Sequence, residues 1–554
     1  MRFITKSLAS IVSLAILFTA CHNKQSADLI VYNGVGHTMI SEEDIIEALV
    51  VKDGIIIDLG NTEEILDKYQ VPAKNMINVN GKSFFPGLTD AHCHLINYAR
   101  SKLSINLVAT ESFDKVIDRI VNFEKRNETK WLIGRGWDQN DWDIQEFPTK
   151  NKLDSLFPDQ PIYLTRIDGH AAIANQKALD LASIDINTTI EGGQLLQKNG
   201  ELTGVLIDNA MELVKNVIPK FNQNILMQSI EESIHECNRY GLTSFHEAGL
   251  EKWEAEILLK MEKQNKLHAK IYVMLVPSKE NLEWIKSGLP QSNLVKINAI
   301  KLYADGALGS RGALLSEPYH DHPQYFGLKL MTTSKIDSII DFCYLNNMQL
   351  NTHCIGDSAN HLILSKYAHR LGRDNDRRWR IEHAQVVNPA HYHYFKDYQI
   401  IPSVQPTHAT SDKPWAENRL GPERIHWAYS YKNLYELNEV LAVGTDFPIE
   451  EINPFFTIYS AVYRKNARQK KTDQSWQMAN ALSRYQCLKG MTKDAAFSSF
   501  MEQTDGVLSI GKSATFTILE RDPMTVAPDE IPGTFAVETY IDGKRVYNVY
   551  NLDN

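Results

Sequence analysis

Apolar and polar positions alternate in two registers along this chain. Both ends are rich in short β-type runs separated by turn dipeptides. Near the N-terminus these are "DLIVYNG", "ALVVKDGIIIDLG" and "MINVNGKSFFPG", with Asn33-Gly34 and Asp53-Gly54 as hairpin signals. Near the C-terminus they are "SATFTILE" and "TFAVETYIDGKRVYNVY", with Asp542-Gly543 as the turn. The middle instead alternates strand-like runs with helical spacing, as in Gln223 to Tyr240 and Thr333 to Asn346. The strand-like runs are "SFFPGLTDAH", "LTSFHEA", "KIYVMLV", "INAIKLYADG", "MQLNTHC", "WRIEHA", "QIIPSVQ" and "VLAVGTDFP". Eight strands alternating with helices predict an α/β fold, a (β/α)8 TIM-type barrel with its site at the C-terminal strand ends. Between the first run and the second lie roughly 140 residues, where a connection of ~2–6 is usual. The pattern therefore predicts a large insertion after strand 1, and a small β-sandwich domain formed by both termini.

These patterns divide the chain as follows. Residues 28–83 and 501–554 form the small β domain, and residues 84–500 form the barrel. A lid subdomain is inserted at about 98–222. The first residues read as an export signal. Arg2 and Lys6 precede an apolar run from Leu8 to Ala20 that is too short to anchor in a bilayer, and the junction is Thr19-Ala20-Cys21. A small residue followed by cysteine resembles a bacterial lipoprotein signal. Residues 1–20 would be removed, Cys21 lipidated, and 21–27 left as a tether. The expected location is exported: a periplasmic or outer-membrane-associated lipoprotein of a bacterial envelope, touching the membrane only through that anchor.

The 554 residues carry a formal charge of −10, which disfavours a general nucleic-acid binder. Besides Cys21 the cysteines are Cys93, Cys237, Cys343, Cys354 and Cys487; their number is odd and their spacing irregular, so buried thiols are expected rather than a disulfide framework.

Histidines at the ends of apolar runs change the picture most. His92 and His94 are two apart, so on a strand they share a face, with Cys93 opposite. Two such imidazoles can hold one cation, or be unrelated. The other runs decide: Lys301 lies in the fourth, His353 ends the fifth, His383 the sixth and Asp446 the eighth. A barrel would bring all six to one mouth.

The stretches "PGLTDAHCH", "DGHAAIAN", "TGVLID", "KLYADGALGSRGALLSEPY", "THCIGDSA", "IEHAQ", "VQPTH", "GTDFP" and "GVLSIGKSATFTIL" together resemble the amidohydrolase superfamily. Within it the chain is similar to the amidohydrolase 3 group, which includes N-substituted formamide deformylase. The resemblance covers nearly the whole chain beyond the leader. It implies one or two divalent metal ions, with Zn²⁺ the ion that imidazole and carboxylate suit. His92, His94 and Asp446 would hold the more buried metal. His353 and His383 would hold a second, and a carboxylated Lys301 would bridge the two. Asp446 would also be the general acid and base for a metal-activated water. His408, in "QPTH", could bond a substrate oxygen or that water. Asp168 and His170 would contact substrate from the insertion, and Arg311 could pair with a substrate carboxylate or with Asp305. Trp137, Trp142 and Phe147 are expected to pack the insertion's own core rather than wall the site. Two departures stand out: Thr515 replaces a usual acid in the closing strands, and Thr445 replaces a usual Ser before Asp446, whose carboxylate is kept.

The reading is a metal-dependent amidohydrolase acting on a carbon–nitrogen bond, linear or cyclic, other than a peptide bond, in a small-molecule substrate. An esterase or lactonase on the same site is one alternative. A non-catalytic ligand-binding lipoprotein is another. The sequence leaves open whether the chain forms a homo-oligomer.

Overall fold

A computed structural model describes residues 24–125, 130–219, 222–469 and 473–551. The signal segment and Cys21 lie outside the described residues. Eight parallel strands follow one another round a nearly closed barrel: β1 (Leu88–Cys93), β2 (Leu242–Leu250), β3 (Lys270–Leu275), β4 (Val295–Tyr303), β5 (Gln349–Cys354), β6 (Arg380–His383), β7 (Ile401–Val404) and β8 (Ala442–Val443). Each pairs with the next in chain order. Helices cross between them, and the apolar residues of strands and helices form one large core cluster. No helix among the described residues is long and apolar enough to cross a membrane.

The run read as one strand from Ser83 to His92 is two. Ser83–Pro86 pairs with Phe516–Leu519 in a six-stranded sheet made from both ends of the chain, and Leu88–Cys93 opens the barrel. The break falls at Gly87, where a Cβ would lie 2.2 Å from Thr243 Oγ1, so only glycine lets the chain pass from one sheet to the other. A four-stranded sheet beside it shares its apolar cluster, through Leu29, Val31 and Val51 on one side and Phe84, Phe516 and Ile518 on the other.

Between β1 and β2 the chain builds an inserted sheet, hereafter the second sheet, of six strands from Ile105 to Asp208. One of its apolar clusters contains Trp137 and Trp142, with Phe147 packed against it. The three aromatics therefore fill this sheet's own core. Cys93, Cys237, Cys343, Cys354 and Cys487 are all buried free thiols.

The barrel interior is not wholly apolar. Arg380 projects inward from β6 with no exposed surface. Its Nε donates to Glu382 Oε1 at 2.7 Å, and its terminal nitrogens donate to His246 Nδ1 at 3.0 Å, to the Ala91 carbonyl at 2.6 Å and to Ser403 Oγ at 3.1 Å. One guanidinium thus ties β1, β2, β6 and β7. Burial, with Arg380 beside it, keeps His246 well below its usual pKa, so the ring is neutral and accepts. Removing the guanidinium would strand Glu382 as an unpaired buried charge. Arg380→Met is expected to cost about 3–5 kcal/mol in urea unfolding followed by tryptophan fluorescence. A loss below about 1 kcal/mol, the worth of an exposed pair, would show that this network does not support the barrel.

Candidate active site

The C-terminal ends of β1, β5, β6 and β8 face one cavity of about 1080 Å³, whose far wall comes from the second sheet. The seam between β1 and β8 sets the positions of two key side chains. Asp90 accepts hydrogen bonds from the Thr445 hydroxyl at 2.7 Å, the Thr445 amide at 3.0 Å and the His92 amide at 3.2 Å. The amide of Asp446 donates to the His92 carbonyl, and that of His94 to the Phe447 carbonyl, each at 2.8 Å. Gly444 permits this approach, since a Cβ there would sit 2.4 Å from the His92 nitrogen. Beyond the seam Asp446 turns into the left-handed region (φ 64°), as His383 does at the end of β6 (φ 72°). Such backbone is costly for non-glycine residues and marks positions where direction of the side chain matters.

The protons on His92, in β1, and His94, just beyond it, follow from their partners. His92 Nδ1 lies 2.5 Å from Glu382 Oε2, and His94 Nδ1 lies 2.9 Å from the Ala248 carbonyl. Burial alone would push the Glu382 carboxyl up, but Arg380 and His92 hold it well below the usual carboxylate range. A carboxylate and a carbonyl can only accept, so each Nδ1 carries a proton and each ring turns its Nε2 to the cavity. The His94 nitrogen meets another acceptor, and the His92 nitrogen lies between that acceptor and the Lys301 amine, whose Nζ is 3.2 Å away. Asp446 Oδ1 is 3.2 Å from His94 Nε2 and 3.7 Å from His92 Nε2. Burial pushes the Asp446 carboxyl up, yet the bond from His408 and the surrounding charge leave it well below the usual range, so it is ionised. A carboxylate oxygen facing bare ring nitrogens is repelled unless a cation sits between them.

Three further observations fit a divalent cation. One ligand atom each from His92, His383 and Asp446 lies within 4.8 Å of the others. His383 Nδ1, His353 Nε2 and Asp446 Oδ1 are buried without a hydrogen-bond partner. Burial, abetted by neighbouring positive charge and rings, drives His353 and His383 well below their usual pKa and His92 down to about 4. All three are therefore neutral rings with free lone pairs, the form in which histidine binds metal.

His383 lies within reach of both expected ligand sets: its ring centroid is 4.8 Å from that of His92 and 4.6 Å from that of His353. The His353 ring lies 4.6 Å from His383 and 5.0 Å from His170, with its Nε2 3.8 Å from Asp305 Oδ1. Lys301 is fully buried, and its Nζ lies 3.2 Å from His92 Nε2. Burial draws that amine down to about 8, against the pull of Glu382 and Asp446. His408 stands on a short helix, Pro406–Ser411, not on a loop. Its Nε2 meets Asp446 Oδ2 and its Nδ1 meets Glu450 Oε1, both at 3.1 Å. Burial lowers its pKa, but two carboxylates outweigh burial and raise it well above the usual value.

From the second sheet, Asp168 and His170 both line the cavity. Asp168 is held by Arg166 at 2.5 Å, and His170 Nδ1 by Asp208 Oδ1 at 2.7 Å. Gly306 and Gly312, on the loop after β4, leave room for Asp208, since a Cβ on either would come within 2.6 Å of its Oδ2. Arg311 is a correction. It does not line the cavity, and it binds neither an open site nor Asp305. Its Nε and terminal nitrogen go to Asp321 at 3.2 and 3.0 Å, ten residues on in the same loop. Asp305 is buried beneath, accepting the amides of Leu314, Ile355 and Gly356.

Sequence reasoning missed Glu382, Glu450, Asp208 and Asp90. The signal for Glu382 was present: "RIEH" puts two charges, Arg380 and Glu382, on one face of a strand that should be apolar.

The sequence profile of the Amidohydrolase family matches residues 75–547. YtcJ of Bacillus subtilis (strain 168), a protein named as an amidohydrolase, is 32% identical over 529 residues, covering 93% of this chain and 98% of its own. N-substituted formamide deformylase of Arthrobacter pascens is a more distant relative, 23% identical over 547 residues, covering 94% of this chain and 99% of its own. Among solved structures, an uncharacterized metal-dependent hydrolase from Pyrococcus horikoshii OT3 superposes with a TM-score of 0.74 at 27% identity, covering 90% of this chain and 98% of that one.

Glu382 sets the tautomer of His92 without touching the cavity centre itself. Glu382→Gln keeps the shape and removes the anionic acceptor. Its affinity for Zn²⁺, measured by competition with a chromophoric chelator, is expected to fall about 10–100-fold. Unchanged affinity would mean that His92 is no ligand.

Proposed function

The chain belongs to the amidohydrolase family, a metal-dependent hydrolase by descent, and within that family we propose that it cleaves a carbon–nitrogen bond of an amide other than a peptide bond. The observation that carries this reading is the pair of facing acceptors, His94 Nε2 and Asp446 Oδ1 at 3.2 Å, with the imidazole proton committed to Ala248 on the far side of the ring. His92, His94, His383 and Asp446 are the residues that would hold the cation, with His353 and Lys301 beside them, and Zn²⁺ is the ion the donor set suits. When bound, such an ion brings the pKa of a water to about 7 and polarises a carbonyl.

The rest belongs to the chain's own side chains. Asp446 takes the proton of the attacking water on a carboxylate oxygen and returns it to the departing nitrogen. An amine leaves poorly unless protonated, so the step needs an acid that can be recharged. His408, bonded to Asp446 Oδ2 and backed by Glu450, holds the carboxylate in place and keeps a proton at hand. The barrel rim borders the cavity on one side and the second sheet on the other. Lys301 as an ammonium donates to the same His92 lone pair that the ion would use. Its carboxylation would release that lone pair and add an anionic ligand, and we propose this modified form for the loaded enzyme; electron density at Nζ of protein crystallised with bicarbonate tests it. Export as an envelope lipoprotein remains part of the proposal and is supported by the leader alone.

The test joins elemental analysis of protein purified without chelator to a parallel screen of amides and esters. Stoichiometric zinc and amide hydrolysis are expected, with Asp446→Asn lowering kcat/KM by about 10²–10⁴-fold. Ester hydrolysis without amide hydrolysis would overturn the carbon–nitrogen reading. Absence of any divalent metal would overturn the site.

A further inference from the structure

One cation on the cavity wall has no counter-charge. Lys102 pairs with Glu236, Arg166 with Asp138 and Asp168, Lys413 with Asp473, and Arg468 with Glu451. Lys301 is engaged with His92. Arg135 is left: among the described residues no carboxylate lies within ion-pair distance of it, although it lines the same cavity as Asp446.

Its surroundings fix the guanidinium without neutralising it. Arg135 sits on the strand Leu132–Trp137 of the second sheet. One terminal nitrogen donates to the Pro448 carbonyl at 2.5 Å and the other to the Ile167 carbonyl at 2.7 Å. Pro448 is two residues beyond Asp446, so the guanidinium is pinned to the loop that carries the proposed proton-transfer group. Ile167 adjoins Asp168, so the other pin is on the second sheet's own rim. A guanidinium has about five N–H donors in one plane, and these two bonds leave about three of them. Burial draws Arg135 down to about 10, opposed by Asp446 and Asp168 through space, so it is charged at neutral pH. A half-buried cation that two neutral carbonyls orient, with a face of its fork open to a cavity, is arranged for a planar anion.

We propose that Arg135 is a specificity-determining residue that binds a carboxylate on the substrate, so that the amides hydrolysed at Asp446 are N-acyl compounds bearing a free carboxylate. This rests on the hydrolase reading above for the reaction, and on the unpaired guanidinium alone for the anion. Apart from Lys301, which is buried against His92, the cavity's other lysines and arginines cannot take the same role without giving up an acid they already hold. The competing explanation is that Arg135 is a staple between the barrel loop and the second sheet.

Titration calorimetry on the full-length protein as purified separates these. The probes are N-benzoylglycine and its neutral isostere N-benzoylglycinamide, each against wild type, Arg135→Met and Arg135→Lys. The wild type is expected to bind the acid about tenfold or more tightly than the amide, the scale of a charge-assisted pair. Arg135→Met should erase that preference while leaving the neutral probe's affinity within about twofold, and Arg135→Lys should retain part of it. No acid preference in the wild type, no measurable binding of the acid, a preference that survives Arg135→Met, or loss of both probes in that variant would each overturn the inference. Binding decides the anion site, whereas the amide and ester screen decides the reaction, so either can fail while the other stands.

Discussion

A buried ion pair determines where protons sit at the mouth of this barrel. Arg380 and Glu382 lie two apart on β6, both without exposed surface. Neither charge could stay inside alone, because transfer of an isolated ion into the interior costs far more than any single contact returns. Together they hold Glu382 ionised, and an ionised Glu382 is what pins the proton of His92 to Nδ1. The lone pair at Nε2 is the consequence. A feature that looks like a concession in a hydrophobic core thus prepares the ligand face of the site from two bonds away.

The same logic of positioning from beneath recurs around the rim. Asp90 joins the first strand to the last and so places His92 against Asp446. Asp305, deep under the loop after β4, holds the turn that follows His353. Glu450 orients His408, which orients Asp446. Asp208 reaches from the second sheet into a space that two glycines keep clear and thereby sets His170. In each case a carboxylate determines the direction of a side chain that faces the cavity, which is the pattern expected where geometry must hold to within a fraction of an ångström.

Much of the barrel could be read from the chain, because its strands are short apolar runs bounded by turn residues and its helices keep their spacing. The residues His92, His94, Lys301, His353, His383 and Asp446 could be placed on one rim since strand ends in a parallel barrel share an edge. What periodicity does not encode is pairing across the interior. Arg380 reaches Ala91, 289 positions away, and no local pattern reports that contact. Arg311 found Asp321 rather than Asp305 because a long irregular loop has no register from which to predict partners. The strand divided at Gly87 looked continuous because its two halves have the same composition, and only the nearness of Thr243 separates them.

The five described thiols are sealed in the interior, and burial lifts each of them far from the reactive thiolate form. Since none is linked to another, the fold draws nothing from an oxidant, and since none ionises, it has little to fear from one. Once folded, the described barrel therefore keeps its shape without a disulfide and offers an oxidant no exposed thiolate.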